Sequence, residues 1–264
     1  AEKVLTEKLV EKYNLTGIIS DNRWGVRSDR INRNVFITHQ LRVLSGNTTF
    51  LSSYIQQRYI GKFDECWIPD SPTRENLSGK LGHTSHKPEN IKYMGALSRF
   101  SKKKFPEKYK YLILLSGPEP QRSMLESKLL KEFKNTSAKI LFIRGVFSEE
   151  QIPNENPNLS IKNYSYGSSL ENALNSSEYV IARSGYTTLM DLSKLKKKAF
   201  FIPTPGQEEQ EYLAKRMKSL ELAPYCRQSE FSVSRLEEIE NYKGLSDFGD
   251  HTILRDRLAF FECE

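Results

Sequence analysis

Short apolar runs with strand character alternate with helical patterns along almost the whole chain, and this alternation constrains the fold more than any other feature. A helix is expected from Val4 to Tyr13, then strands at Gly17–Ser20 and Val35–Thr38, a helix over Phe50–Ile60, and strands at Glu65–Ile68 and Ile91–Gly95. The lysine-rich, proline-containing stretch Ser101–Lys110 has no apolar period and reads as a connector. Beyond it the pattern restarts. Strands are expected at Tyr111–Leu115, Lys139–Ile143, Leu159–Ile161, Glu178–Ala182 and Ala199–Ile202. Helices are expected at Gln121–Phe133, Gly167–Ser176, Thr187–Leu195, Glu208–Ser219, Ser234–Tyr242 and Asp250–Phe261. Ser168 precedes Glu171 by three residues, the spacing of a capping box.

Strand–helix alternation on both sides of a connector predicts an α/β protein of two open, largely parallel sheets in the Rossmann manner. The boundaries read as a first domain over 1–100, a connector over 101–110 and a second domain over 111–264 that includes the C-terminal helices. Four strands are few for a self-sufficient first sheet, so the first domain is expected to be incomplete, with an N-terminal portion missing. The 264 residues suit two domains at roughly 100–200 residues each.

Composition excludes several classes. No run approaches the roughly 18 apolar residues of a membrane span. Cys66, Cys226 and Cys263 are odd in number and widely spaced, which disfavours a disulfide framework or a zinc site and makes a reducing cytoplasm the default. His83 and His86 lack neighbouring ligand residues, so no metal is expected there. The net charge of +7 is uneven: up to Pro106 there are 18 Lys and Arg against 10 Asp and Glu, and beyond it 22 against 23. A basic first half suits a solvated face, an anionic membrane surface or a phosphorylated substrate. Nucleic acid is not expected, because no recognised nucleic-acid-binding pattern accompanies the charge.

In open parallel sheets ligands sit beyond the carboxyl ends of strands, which selects the loops to consider. Arg183-Ser184-Gly185-Tyr186-Thr187 joins a strand to a helix, and the helix start offers N–H groups to a phosphate. Arg183, Ser184 and Thr187 add charge and hydroxyls, and Asp191 lies one turn on, where a carboxylate can accept from ribose hydroxyls. A plain Ser/Thr-capped helix with an incidental Arg explains the same residues. Ser116-Gly117 before Arg122 is a second candidate phosphate loop, or a rigid turn. Gln207, Gln210 and Glu211 follow Pro203 and Pro205 and can grip sugar hydroxyls, or simply suit a helix N-terminus. Arg144-Gly145 ends another strand. In the first domain Asp21, Asn22, Arg23, His39 and Gln40 are polar at strand ends, and His39 is either a general base near neutral pH or structural.

Three of these segments resemble family 28 glycosyltransferases of the GT-B fold. Arg183-Ser184-Gly185 with Asp191 eight positions after the Arg is similar to the family's Arg-Ser-Gly segment and its ribose-holding acidic residue. Pro203 followed by Gln210, Glu211 and Tyr212 resembles the Pro…Gln-Gln-Tyr stretch that contacts the donor sugar, with Glu211 in place of the second Gln. Ser116-Gly117 stands where the family has a Ser-Gly-Gly-Ser loop, from which Pro118-Glu119-Pro120 departs. More loosely, Tyr93 to Arg99 and Thr38-His39-Gln40 sit where relatives carry a Gly-x-Pro-x-Arg exit and His-Glu-Gln-Asn.

The resemblance implies two domains facing a cleft and inverting transfer of a sugar from a UDP-sugar co-substrate to a hydroxyl acceptor. The acceptor is expected to be lipid-linked, as in cell-envelope synthesis, and the protein to be cytoplasmic and peripheral on the inner membrane face. Ser116, Gly117, Arg122, Arg144, Arg183, Ser184, Gly185, Thr187, Asp191, Gln207, Gln210 and Glu211 are expected on the donor side. Asp21, Asn22, Arg23, His39 and Gln40 are expected on the acceptor side. The family's N-terminal Gly-rich loop has no counterpart, so the catalytic base is not carried over. No metal and no further cofactor are expected, since a helix N-terminus and positive side chains stand in for the metal. The rival activities are nucleotide-sugar epimerisation or hydrolysis, and non-catalytic nucleotide-sugar binding.

Overall fold

The computed structural model describes residues 1–85, 87–150, 152–248 and 251–262, without the side chains of residues 251–253. His86, Asp250 and Cys263 lie outside the described residues. The chain divides into two compact units, one of residues 1–97 with the C-terminal segment from 248, the other of residues 98–247.

The first unit holds α1 (Glu2–Tyr13), β1 (Ile18–Asp21), β2 (Asn34–Ile37), α2 (Thr49–Ile60), β3 (Glu65–Ile68) and β4 (Ile91–Tyr93). Its four strands are parallel in the order β1-β2-β3-β4, with Val35 paired to Glu65 and Cys66 to Ile91. Successive side chains leave a strand on opposite faces. Phe36, Cys66 and Ile68 accordingly pack with Leu41, Ile60 and Phe63 on one face, while Val35 and Trp67 pack with Met94 on the other. Leu254, Phe260 and Phe261 of the C-terminal segment, which contains α7 (His251–Leu258), close over that second face, and Phe261 meets Trp67 edge-on at 5.9 Å. This corrects the expected boundary. The C-terminal residues belong with the first sheet because its Trp67 face needs an apolar cover.

The second unit holds β5 (Tyr109–Leu114), α3 (Gln121–Glu132), β6 (Ile140–Ile143), β7 (Leu159–Lys162), α4 (Gly167–Asn175), β8 (Ser177–Ala182), α5 (Tyr186–Leu195), β9 (Lys198–Phe201) and α6 (Glu208–Ser219). The sheet is parallel, in the order β7-β6-β5-β8-β9. Leu125, Leu129 and Phe133, spaced four apart, form one stripe of α3 and pack on Ile113, Phe142 and Ile181 together with Phe231, Leu236 and Ile239. The stretch expected as a helix at Ser234–Tyr242 is a 3-10 run, Val233–Asn241.

Two local expectations also change. Tyr109 and Lys110 are strand, not connector, and the connector is anchored: the Ser101 N–H donates to Glu171 (2.8 Å) and the Lys103 N–H to Asn175 (2.9 Å). Glu171 is therefore occupied, and α4 has no side-chain cap, so the capping box at Ser168 is not formed. The strand order turns between β5 and β8. Strands of lower and higher number diverge from there, which opens a crevice at their carboxyl ends.

Candidate functional site

Four loops of the second unit converge at that edge, after β5, β6, β8 and β9. The β6 loop approaches the β5 end so closely that a Cβ at Gly145 would lie 2.3 Å from the Leu115 carbonyl oxygen; its φ of +75° also calls for glycine. The adjoining polar cluster is structural. The Arg122 guanidinium is buried and pairs with Glu119 (2.5 Å) and Glu126, and Glu126 also binds Arg144 (2.9 Å). Arg144 donates further to Asn163 (2.8 Å). Burial works against the charged Arg122, but Glu126 and Glu119 outweigh it and raise its pKa. The expected anion-holding roles of Arg122 and Arg144 are thus corrected, because their donors are spent on tying α3 to the β6 and β7 ends.

Arg183 receives a different place from the one expected. It is 1% exposed, and its guanidinium donates to the carbonyls of Ile202 (2.9 Å), Pro203 (3.0 Å) and Gln121 (2.9 Å) and to Gln228 Oε1 (2.7 Å). Its two terminal nitrogens therefore clamp the β9 end to α3 and to the Gln228 turn, while its buried Nε has no partner among the described residues. Every one of those acceptors is neutral. Burial alone moves its pKa, down to about 10, with no carboxylate opposing. The result is a buried positive charge carried by the residue two positions before the N-cap of α5, whose helix dipole is also positive at that end.

The α5 entrance itself is open. Gly185 is the N-cap with no side-chain cap, and a Cβ there would meet nothing within 4 Å. Ser184 is buried and donates to the Gln210 carbonyl (2.7 Å), so its hydroxyl shapes the loop, while Thr187 stands exposed on the first turn. Asp191, one turn further, accepts from the Ser98 hydroxyl (2.6 Å). Burial pushes its carboxyl up, and the Ser98 bond and the Arg99 charge pull it partly back. Asp191 is thus a half-buried carboxylate already receiving a hydroxyl.

The β9 loop is internally braced. Gln210 accepts from the Thr204 N–H (2.9 Å) and donates to Gln207 Oε1 (2.5 Å), and Glu211 accepts from the Gly206 N–H (3.2 Å). Across from it Ser116 and Gly117 are exposed, Gly117 with φ +108°. A hollow of about 520 Å³ lies on the α3 side of this loop, bounded by Met124, Pro203, Pro205, Glu211 and Tyr225. A larger hollow of about 850 Å³, at Leu130–Thr136 and Pro153–Leu159, lies toward the start of β7, away from the carboxyl edge.

In the first unit Asp21 and Asn22 are exposed at the β1 end, beside Arg23, which is exposed and ion-paired with Glu2. His39 and Gln40 are half-buried after β2, with His39 Nε2 and Gln40 Nε2 3.4 Å apart. A cluster the sequence did not single out sits after β3. Asp70 is fully buried and accepts from the N–H groups of Ser71, Leu77 and Ser78, with His83 Nε2 at 3.5 Å and the His83 ring stacked on Tyr93. Ser98 and Arg99, placed by sequence only in the exit from the first domain, act on Asp191, and Thr204 was not singled out within the loop after β9. Their only signal was position, beside residues that were identified. Among the described residues no group of three or more His, Cys, Asp or Glu is arranged to hold a metal, and no helix is long and apolar enough to cross a membrane.

Residues 119–240 match the glycosyltransferase family 28 C-terminal domain. No curated protein sequence matches the chain significantly. Solved structures with similar folds include the glycosyltransferase of kitacinnamycin, at a TM-score of 0.62 and 12% identity over 98% of this chain and 78% of that one. MurG of Acinetobacter baumannii aligns at 0.53 and 12% identity, over 95% and 76% respectively. S. aureus MnaA, solved with UDP, aligns at 0.62 and 9% identity, over 97% and 76%. The chain thus has the α/β, parallel-sheet fold of GT-B glycosyltransferases. The family 28 match lies wholly within the second unit.

Proposed function

We propose that the second unit binds a nucleoside diphosphate-sugar, UDP-linked, and that the protein transfers the sugar to an acceptor hydroxyl with inversion at the anomeric carbon. The observation that carries this reading is the open α5 N-terminus backed by the buried, carboxylate-free Arg183 charge, within the segment that matches family 28. In this reading the diphosphate sits before Gly185 and Thr187, and Asp191 accepts from the ribose hydroxyls. The sugar extends past the braced Gln207–Glu211 loop toward the 520 Å³ hollow, a volume within the roughly 300–1,000 Å³ of small-molecule sites. As the acceptor oxygen attacks in line, negative charge grows on the leaving diphosphate. A preorganised helix dipole and a fixed cation stabilise that charge without reorganising, so no metal is assigned. His39 is the candidate base for the acceptor proton.

The acceptor is proposed to be lipid-linked and the protein peripheral on an anionic membrane face. The excess positive charge of the first 106 residues supports this, as do Phe50, Leu51 and Tyr54, which stand exposed on α2. The test is UDP release from UDP-sugars with and without lipid-diphosphate acceptors. Release that depends on acceptor and persists in EDTA is expected; no turnover with any acceptor contradicts it. A second reading, epimerisation or hydrolysis without an acceptor, is favoured by the similarity in fold to a putative UDP-N-acetylglucosamine 2-epimerase from Listeria monocytogenes (TM-score 0.60, 9% identity). An epimer or free UDP formed from UDP-sugar alone would select it.

A further inference from the structure

The loops after β5 and β9 meet at one point. A Cβ built on Gly117 would lie 3.6 Å from Thr204 Oγ1, the one atom within 4 Å among the described residues beyond its chain neighbours. Thr204 is 2% exposed, and its hydroxyl has no hydrogen-bond partner among the described residues. Buried polar atoms are nearly always satisfied, so an exception points to a missing partner. The backbone that carries it is held in place. Pro203 and Pro205 fix the flanking backbone, Gln210 holds the Thr204 N–H, and the Gln207 N–H donates to the Thr204 carbonyl at 3.1 Å. Arg183 in turn clamps the Pro203 carbonyl.

The partner's chemistry follows from the surroundings. A hydroxyl in this setting is a ready donor, so its partner offers an acceptor oxygen. A buried cation lies close by: Arg183 donates to the Ile202 and Pro203 carbonyls of the same loop, while Glu211 accepts from the Gly206 N–H and Glu119 of the facing loop is paired with Arg122. A side chain at position 117 would stand between the hydroxyl and the open edge of the sheet, and the left-handed backbone of Gly117 disfavours one. Glycine leaves that approach clear.

We infer that the Thr204 hydroxyl donates a hydrogen bond to a phosphoryl oxygen of the donor's diphosphate, docked in front of Gly117. This rests on the donor-site reading above and adds a contact from the β9 loop that the Arg-Ser-Gly and Gln-Glu segments do not supply. Thr204 is held unsatisfied in the free protein so that its donor is oriented before the ligand arrives. Preorganisation of this kind strengthens binding at the expense of unliganded stability.

The test compares Thr204→Val, which keeps the shape and removes the hydroxyl, with Thr204→Ser, which keeps the hydroxyl. Affinity for UDP and for uridine is measured by calorimetry, and melting is followed without ligand. For T204V the expected result is UDP binding weakened roughly tenfold, uridine binding unchanged, and a melting temperature at or above wild type. T204S is expected to bind UDP as wild type does. T204V that binds UDP like wild type overturns the inference while leaving the donor site standing. So does T204V that melts lower with affinity intact, which would show an internal water as the partner. Wild-type protein that binds no UDP overturns the donor-site reading and this inference with it.

Discussion

Replacing Arg183 with Met separates a scaffold Arg from a ligand-gripping one. The side chain makes four hydrogen bonds to neutral oxygens and is essentially sealed from water. At about 1.5 kcal/mol for each bond from a charged donor, their loss amounts to about 6 kcal/mol. Against this, the variant no longer buries an unpaired cation. The lowering of the Arg183 pKa to about 10 corresponds to about 3 kcal/mol at 1.36 kcal/mol per unit. The net expectation is a loss of about 3 kcal/mol, or roughly 6–12 °C in melting temperature for a unit of this size. Thermal and urea unfolding without nucleotide read this directly. A variant that melts within about 2 °C of wild type but loses UDP affinity more than tenfold would refute the reasoning. It would mean that the guanidinium faces the ligand rather than the loops.

Three further substitutions follow from the same chemistry. Asp191→Asn should weaken UDP binding about tenfold or more at neutral pH, a charged hydrogen bond being replaced by a neutral one. Because burial raises the Asp191 pKa above 3.8, wild-type affinity should begin to fall on acidification above that value, and the Asn variant should lack this dependence. The same raised pKa means that ionised Asp191 costs stability at neutral pH, so the Asn variant should melt no lower than wild type. Glu126→Gln leaves Arg122 and Arg144 buried without their shared carboxylate and should cost about 3–5 kcal/mol in urea unfolding; a loss under about 1 kcal/mol would show the pair to be solvated. Asp70 is fully buried, and although burial pushes its pKa up, the bonds from His83, Ser78 and Leu77 bring it below 3.8. Its stabilisation is present above the unfolded pKa and lost as pH falls through the lowered folded one. Asp70→Asn should therefore cost about 2–4 kcal/mol at pH 7, a deficit that shrinks steadily in urea titrations below about pH 4.

The elements of the fold were legible where pattern is local. Glu65–Ile68 and Glu208–Ser219 fall where alternation and helical period place them, because burial on one or two faces imposes those periods directly. The return of the C-terminal segment to the first unit was not legible. It depends on an uncovered Trp67 face nearly two hundred residues away, and nothing near Leu254 or Phe261 announces that partner. Site residues divide in the same way. Gly185 and Asp191 could be placed from spacing along one helix. An Arg at a strand end, by contrast, can point outward to an anion or inward to carbonyls, and which it does at Arg183 and Arg122 is decided by loops distant in sequence. Thr204 gave no signal because its character lies in what it fails to bond.

The most direct test of the donor site is an amide NMR spectrum of the protein titrated with UDP. The account predicts that the largest shifts fall on residues 116–118, 184–191 and 204–207, in the loops after β5, β8 and β9. Shifts confined to the first unit, or centred on the larger hollow near residues 130–136 and 153–159, would contradict it.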